Sequence, residues 1–195
     1  MIIYLHGFRS SPASIKATEL KRHMASRGLG LFYDCPQLPY EPASAISLIA
    51  KRIRTSPTPV TLVGSSLGGY YATWLAEQYG SKAVLVNPAV VPAMSLRDYI
   101  GRQENIYSGE VFEFTEAHIA QLQDFEVESI TRPSRYMLLA ETGDELLDYR
   151  FAVAKYQGAQ QFVHEGGDHG FTRFKDYLDP ILAFAGIAPP VQPRT

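Results

Sequence analysis

The stretch Val60-Thr-Leu-Val-Gly64-Ser65-Ser66-Leu67-Gly68-Gly69-Tyr70 decides the fold of this chain. A short apolar run, typical of a buried strand, ends in a Gly-x-Ser-x-Gly turn, and a helical pattern begins directly after it. A serine at the apex of such a turn takes a strained positive φ, and glycines two positions before and after it prevent clashes between strand and helix. This spacing selects Ser66, because Ser65 has no glycine two positions away on either side.

The pentapeptide alone is modest support for chemistry, since a chain of this length contains Gly-x-Ser-x-Gly by chance roughly 5% of the time. The plain alternative is a glycine-rich strand-to-helix turn without a catalytic role. Context favours the nucleophile elbow of α/β-hydrolases, in which strand, turn and helix are followed along the chain by an acid and then by a histidine. Candidates for both occur later in this sequence, in that order.

Composition predicts one globular domain. The 195 residues are 46% hydrophobic, which provides for a sizeable core over residues 1–187, and the proline-rich tail 188–195 is predicted to be disordered. A net charge of −2 gives no attraction to nucleic acid or to a membrane surface. Because Met1 leads directly into a strand and no apolar run approaches about 20 residues, we predict a cytoplasmic protein without signal peptide or membrane span.

Strand and helix patterns alternate along the chain, which favours an α/β fold with a mostly parallel sheet and helices on both faces. Six strands are predicted, over residues 2–5, 29–33, 60–63, 82–86, 135–140 and 160–164. Five helices are predicted between and after them, over residues 13–27, 43–54, 67–79, 148–156 and 172–185.

Residues 88–134 depart from this alternation. They carry several aromatic side chains and two short helical patterns, over 95–100 and 115–125, so we predict a helical insert after the fourth strand. Irregular segments of this length in a compact domain are often functional. The insert is therefore interpreted either as a lid over the active site, with aromatic residues that shape an acyl pocket, or as a structural insertion at the sheet edge.

His169 is the candidate general base, in Glu165-Gly-Gly-Asp-His-Gly-Phe171 after the last predicted strand. A serine hydroxyl needs a positioned base, and histidine titrates near neutral pH. The other histidines fit the role less well. His164 ends the strand, His118 lies in the insert, His23 lies on a helix beside basic residues, and His6 precedes the serine and is interpreted as a structural hydrogen-bonding residue.

Asp144 is the candidate acid, because it follows a glycine just after the fifth predicted strand, where a loop reaches toward its neighbour. Its role is to orient the histidine and stabilise the imidazolium. Glu145 and Asp148 are alternatives, although Asp148 equally suits the N-cap of the next helix. Glu141 lies close to the strand end and is the weaker candidate.

Backbone N–H groups are expected to form an oxyanion hole. One belongs to Leu67, the residue after the nucleophile, at a helix N-terminus. The other belongs to Phe8 in the loop after the first strand, where Gly7 lets the chain approach a substrate. No metal-ligand spacing, phosphate loop or dinucleotide fingerprint occurs, so we predict neither metal nor cofactor. The single Cys35 excludes an intrachain disulfide and is interpreted as structural.

Taken together, these stretches resemble the YqiA/YcfP-like family of small bacterial esterases, within the α/β-hydrolases. The resemblance extends from the first residues to about residue 177. Its matching stretches are Ile3-Tyr-Leu-His-Gly-Phe8, Ser10-Ser-Pro12, Pro36-Gln-Leu-Pro39, Val63 to Leu75, Val86-Asn-Pro-Ala89, Thr142-Gly-Asp-Glu145, Leu147-Asp-Tyr-Arg150, and Glu165-Gly-Gly with His169.

The resemblance implies hydrolysis of acyl esters or thioesters by Ser66, Asp144 and His169. We therefore predict a serine esterase acting on small-molecule carboxylic esters of small to medium acyl groups through an acyl-enzyme. The alternatives are an acyl thioesterase using the same residues and a non-catalytic binding module of the same fold. The chain departs from the family at Asp168, where many relatives are expected to have asparagine. This extra carboxylate is expected either to favour a protonated His169 or to compete with Asp144 as its partner.

Overall fold

The computed structural model describes residues 1–187, so the predicted disordered tail 188–195 lies outside the described residues. The strands of this part of the chain are β1 (Ile2–Leu5), β2 (Tyr33–Asp34), β3 (Thr61–Ser65), β4 (Lys82–Val86), β5 (Gly101–Glu104), β6 (Val111–Phe114), β7 (Tyr136–Glu141) and β8 (Gln160–His164). Six of them form one parallel sheet, in the order β2-β1-β3-β4-β7-β8, and β5 pairs with β6 in an antiparallel hairpin.

Helices connect the strands and cover both faces of the sheet. The α-helices are α1 (Ile15–Ser26), α2 (Pro42–Thr55), α3 (Leu67–Tyr79), α4 (Pro92–Ser95), α5 (Glu116–Asp124), α6 (Tyr149–Lys155) and α7 (Leu178–Ala185). Short 3₁₀ helices occupy Gly30–Phe32, Arg97–Tyr99, Pro133–Arg135 and Phe174–Tyr177. The predicted six-stranded parallel sheet with helices on both faces is thus confirmed.

The central strands are mostly apolar because both of their faces are covered. In β1, Ile2 and Tyr4 pack with α1 and α7, whereas Ile3 and Leu5 pack with α2 and α3 on the opposite side. The same alternation continues through β3, β4 and β7, so each strand contributes to two cores. Burial on both faces explains why period-two patterning is absent from these strands.

The second predicted strand, 29–33, is wrong in most of its length. Gly30–Phe32 is a 3₁₀ helix, and the strand is only Tyr33–Asp34 at the edge of the sheet. It pairs with β1 at two positions alone, Ile2 with Tyr33 and Ile3 with Asp34. Leu31 is 94% exposed, so its hydrophobicity reflects no core position.

The prediction of a helical insert after the fourth strand is wrong in part. Short helices are present, but the β5–β6 hairpin lies between them, with Gly101 opposite Phe114 and Glu104 opposite Val111. Phe112 and Phe114 are buried and alternate with exposed residues, as in a half-buried strand. The partner strand, Gly-Arg-Gln-Glu, is polar and carries no comparable signal.

Of the helices in residues 1–187, none combines the length and apolar character that crossing a membrane requires. Cys35 is half-buried, and burial, its main influence, raises the pKa of its thiol to about 11, so the group stays protonated at neutral pH. This state agrees with the structural interpretation of Cys35.

Candidate active site

Ser66 lies between β3 and α3 with φ 55° and ψ −121°, the strained backbone that its glycine spacing predicted. The turn is tight because strand and helix touch through backbone atoms. A Cβ atom on Gly64 would lie 2.3 Å from the carbonyl oxygen of Gly68. A Cβ atom on Gly68 would lie 2.1 Å from the carbonyl oxygen of Leu5. Only glycine fits at both positions, because any side chain there would clash with a backbone carbonyl group.

The two predicted oxyanion donors flank this serine. Leu67 is the first residue of α3, and Phe8 follows Gly7, whose added Cβ would lie 3.3 Å from Ser66 Cβ. Within residues 1–187, neither the Leu67 N–H nor the Phe8 N–H donates a hydrogen bond to a protein acceptor. Both donors are therefore available to a bound oxygen atom.

The ring of Phe8 anchors its loop to the insert. It makes edge contacts with Tyr99, Phe112 and Phe114, with centroid separations of 5.7, 5.9 and 5.0 Å. These contacts join the loop after β1 to the β5–β6 hairpin, which fixes the backbone that presents the Phe8 N–H.

Asp144 and His169 meet at the carboxyl ends of β7 and β8. His169 Nδ1 lies 2.8 Å from Asp144 Oδ2 and 3.0 Å from Oδ1. The Asp144 side chain is 2% exposed, and its Oδ1 also accepts hydrogen bonds of 2.9 Å from the N–H groups of Leu146 and Leu147. A carboxylate fixed in this way sets the orientation of the imidazole and leaves Nε2 for another partner.

Ser66 and His169 line one cavity, but among the hydrogen bonds of the described residues none joins Ser66 Oγ to the imidazole. The structure therefore brings Asp144 and His169 into direct contact, and Ser66 lines the same cavity as His169. Hydrogen bonds of catalytic groups are often long in ligand-free proteins and tighten when substrate binds.

The other carboxylates near the histidine have different partners. Glu145 Oε2 accepts a hydrogen bond of 3.0 Å from the His169 N–H, not from its ring. Asp148 caps α6, accepting from the Arg150 N–H at 3.0 Å, which was its alternative role. Asp168 Oδ1 accepts from the Gly170 N–H at 2.7 Å. Within the described part of the chain, Asp144 alone hydrogen-bonds the His169 ring.

Glu141 is the weakest acid candidate by sequence, and the structure places it beneath the loop over residues 165–172 that carries His169, called here the histidine loop. It is 1% exposed. Its carboxylate accepts hydrogen bonds from the Asp168 N–H at 3.0 Å, the Thr172 N–H at 3.0 Å and Thr172 Oγ1 at 2.7 Å. Burial raises the pKa of Glu141, but these hydrogen bonds outweigh burial and hold the pKa below its ordinary value.

Asn87 ties the same loop to the centre of the sheet. It is buried directly after β4, with φ 38°. Its side-chain amide donates to the carbonyl groups of Asp168 and His169 at 2.9 and 3.2 Å, and its Oδ1 accepts from the Glu141 N–H at 2.9 Å. Sequence reasoning missed this role, although a polar residue at the end of a central buried strand is a signal that could have identified it.

His6 has the structural role that was expected. Its Nδ1 lies 3.0 Å from the carbonyl oxygen of Gly7, and its Nε2 accepts a hydrogen bond of 3.0 Å from the Leu38 N–H. Burial lowers the pKa of His6, which favours the neutral ring that this acceptor role requires. His6 therefore stabilises the loop that carries Gly7 and Phe8.

The cavity beside Ser66 has a volume of about 680 Å³. The insert and the loop after Asp144 supply an apolar wall, which comprises Ala89, Pro92, Leu96, Tyr99, Leu146 and Leu147. A polar region from the loop after β1 and the start of α1 lies in the same cavity. Within residues 1–187, no group of three or more His, Cys, Asp or Glu side chains is placed to hold a metal ion.

The sheet order, the helices on both faces and the serine elbow define an α/β-hydrolase fold, and solved structures share it. A putative hydrolase from Agrobacterium vitis superimposes with a TM-score of 0.75 and 21% identity, covering 94% of this chain and 87% of that one. Est1E from Butyrivibrio proteoclasticus gives a TM-score of 0.66 at 12% identity, covering 94% and 85%.

The chain belongs to the uncharacterised protein family UPF0227, whose pattern matches residues 1–186. A UPF0227 protein of Vibrio cholerae serotype O1 is 24% identical over 187 residues, which cover 94% of this chain and 98% of the relative. The resemblance to YqiA/YcfP-like α/β-hydrolases is thereby confirmed.

Proposed function

We propose that this protein is a serine esterase that hydrolyses carboxylic esters of small to medium acyl groups. One observation carries the proposal. The Asp144 carboxylate holds His169 by its Nδ1 at 2.8 Å, and His169 shares a cavity with a serine on a strained elbow. A binding module has no need of an ordered acid, base and nucleophile around one cavity, so this combination favours catalysis.

In the proposed reaction, Ser66 Oγ attacks the ester carbonyl carbon while His169 Nε2 takes the hydroxyl proton. The N–H groups of Leu67 and Phe8 donate hydrogen bonds to the carbonyl oxygen as it becomes an oxyanion. The bond to the alcohol oxygen then breaks, His169 gives its proton to that oxygen, and the alcohol leaves. Water attacks the acyl-enzyme in the same way, releasing the acid and restoring Ser66.

The apolar wall is the proposed acyl site. Pro92, Leu96 and Tyr99 come from the insert, and Leu146 and Leu147 come from the loop that begins at Asp144. An apolar wall in a cavity of about 680 Å³ suits an alkyl or aryl acyl group. The insert thus contributes to specificity in this proposal through the side chains that it places beside Ser66.

A fluorophosphonate probe, which labels activated serines, tests the proposal. We expect covalent labelling of the wild-type chain at Ser66 and none in Ser66→Ala. The neighbouring Ser65→Ala is the matched control, because it removes an adjacent buried hydroxyl and should keep the label. An unlabelled wild type, or labelling that survives in Ser66→Ala, rejects the mechanism.

A substrate panel and a pH profile refine the proposal. Oxygen esters and thioesters with the same acyl groups separate an esterase from an acyl thioesterase, and activity against increasing chain length measures the acyl site. Hydrolysis should decline on acidification from about pH 8 to pH 5, because a protonated imidazole cannot accept the serine proton. A flat profile across this range contradicts a histidine base.

A further inference from the structure

The cavity beside Ser66 has a second, polar region that the proposed reaction does not use. It is lined by Arg9 and Ser10 from the loop after β1, and by Ser14 and Lys16 at the start of α1. Of the charged side chains lining this cavity, Arg9 and Lys16 are cationic and Asp168 is anionic. The Asp168 carboxylate already accepts a hydrogen bond from the Gly170 N–H.

Neither cation forms an ion pair with a carboxylate in the described residues. Arg9 Nε donates to the carbonyl oxygen of Glu104 at 2.8 Å, and within residues 1–187 its two terminal nitrogens have no protein acceptor. Lys16 Nζ donates to the carbonyl oxygen of Gly170 at 2.6 Å. Each side chain is thus fixed by one neutral oxygen and retains donors for a further partner.

Ser14 and Lys16, at the start of α1, both carry polar groups that the protein satisfies incompletely. The Ser14 hydroxyl is buried and has no hydrogen-bond partner among the described residues, which is uncommon for a buried polar atom. Burial lowers the pKa of Lys16, and the carboxylates of Asp168 and Glu19 offset this effect only in part. A ligand oxygen with negative charge at Lys16 would compensate its desolvated ammonium group.

The position of Lys16 indicates which part of a substrate would carry that charge. Gly170, the acceptor of its ammonium group, directly follows His169. In the proposed reaction His169 gives a proton to the departing oxygen, so this end of the cavity adjoins the leaving group. The apolar wall serves the acyl group.

From these observations, and resting on the proposed esterase function, we propose that Arg9 and Lys16 bind an anionic group, a carboxylate or a phosphate, on the alcohol portion of the substrate. The guanidinium of Arg9 matches such an oxyanion through its fork of donors, and Lys16 adds a point charge. The substrate class is therefore an ester whose alcohol portion carries an acidic group.

Three butyrate esters test this assignment. Their alcohol portions are 3-hydroxybenzoate, 3-hydroxyphenylphosphonate and the neutral methyl 3-hydroxybenzoate. We expect kcat/KM to be about tenfold higher for at least one anionic ester than for the neutral one. The anion that is favoured distinguishes carboxylate from phosphate recognition. Equal or lower values for both anionic esters overturn the proposal.

Substitutions of Arg9 and Lys16 test whether these two residues cause the preference for anionic esters. Arg9→Gln and Lys16→Gln should each lower the ratio of anionic to neutral kcat/KM by about fivefold to tenfold, mainly through KM. Arg9→Lys and Lys16→Arg should restore part of the ratio, which excludes misfolding as its cause. Lys21→Gln is the matched control, because it removes an exposed cation from the same helix and should leave the ratio unchanged. An unchanged ratio in both glutamine variants contradicts the assignment.

Two further arms separate the possible failures. One arm compares 4-nitrophenyl hemisuccinate with its methyl ester. If the chain prefers the charged acyl group in this pair and shows no preference in the leaving-group series, the anionic group does not lie on the alcohol side and the proposal is overturned. Binding of the amide 3-(butyrylamino)benzoate to Ser66→Ala does not depend on turnover. We expect binding to be about tenfold weaker when Arg9→Gln is added. Equal binding overturns this subsite even if the chain hydrolyses no ester.

Discussion

The serine elbow and the histidine loop reach the same cavity but are built by opposite means. At the elbow, backbone atoms of β1, β3 and α3 approach so closely that Gly64 and Gly68 have no room for a Cβ atom. At the histidine loop, the chain is held by buried polar side chains, namely Asp144, Glu141 and Asn87. One part depends on excluded volume and the other on hydrogen bonds, so they should fail differently when altered.

The largest effect is expected at Asp144, one of the hydrogen-bonding residues that hold the histidine loop. Asp144→Asn should lower kcat by about 10³–10⁴-fold, because an amide at this position does not hold the His169 tautomer that accepts the serine proton. The fold should persist, since asparagine has nearly the same shape. Steady-state kinetics on a butyrate ester and the thermal midpoint measure the two effects separately.

Asp148→Asn is the matched control for that change. Its side chain caps α6 and pairs with Arg150, away from the imidazole. We expect kcat to stay within about threefold of wild type, since an exposed ion pair contributes little and asparagine also serves well as an N-cap. If both substitutions lower kcat equally, Asp144 has no special relation to His169.

The next effect tests the elbow. Gly68→Ala should lower the free energy of unfolding by about 3 kcal/mol or more, because its Cβ would lie 2.1 Å from the Leu5 carbonyl oxygen. Gly30→Ala is the control, since its Cβ would meet only ordinary contacts at 3.8 and 3.9 Å. Urea unfolding measures both variants, and equal stability would show that the elbow tolerates the added volume.

A smaller effect is expected at Glu141, whose carboxylate lies beneath the loop. Glu141→Gln should lower the free energy of unfolding by about 1–3 kcal/mol, because an amide replaces one oxygen where three hydrogen bonds converge. We also expect a lower kcat, with KM less affected, since the displaced loop carries His169. Glu128→Gln, on an exposed residue of the insert, should change neither quantity.

The difference in stability between wild type and Glu141→Gln should depend on pH with a definite sign. The pKa of Glu141 is below its ordinary value in the folded protein, so its stabilisation is fully present above the ordinary pKa and is lost as pH falls through the folded pKa. Wild type should therefore exceed Glu141→Gln in stability near neutrality, and this excess should shrink in acid. Glu77, whose pKa is also lowered, remains in both proteins and cancels from the difference. An excess that persists unchanged in acid contradicts the argument.

The two regions also differ in how far the sequence revealed them. The elbow was accessible because its requirements are local. Strand, Gly64, Ser66, Gly68 and helix are consecutive, and the strained φ of Ser66 followed from their spacing. The pairing of Asp144 with His169 follows from the shared edge of parallel strands, although sequence alone does not separate Asp144 from Glu145 and Asp148 as the acid.

The supporting residues were not accessible because their partners are distant in sequence. Asn87 bonds to residues 81 and 82 positions away, and no periodic pattern encodes such contacts. The insert failed for another reason. Phe112 and Phe114 alternate as a strand does, but that strand is short and its partner is polar, so no hairpin is predicted between the helical patterns at 95–100 and 115–125. Both the position of Asn87 and the β5–β6 hairpin depend on contacts that sequence patterns do not encode.

The smallest expected effect concerns Asp168, the carboxylate that the sequence placed beside the base. Its Oδ1 accepts the Gly170 N–H at 2.7 Å, while Asp144 holds the ring, so Asp168 does not compete for the imidazole. Asp168→Asn keeps an acceptor for that N–H and should change kcat/KM for a neutral ester by less than about threefold, as steady-state kinetics would measure. A loss of kcat/KM greater than about tenfold would show instead that the Asp168 charge acts on the site, which would bring charge as well as hydrogen bonding into the construction of the loop.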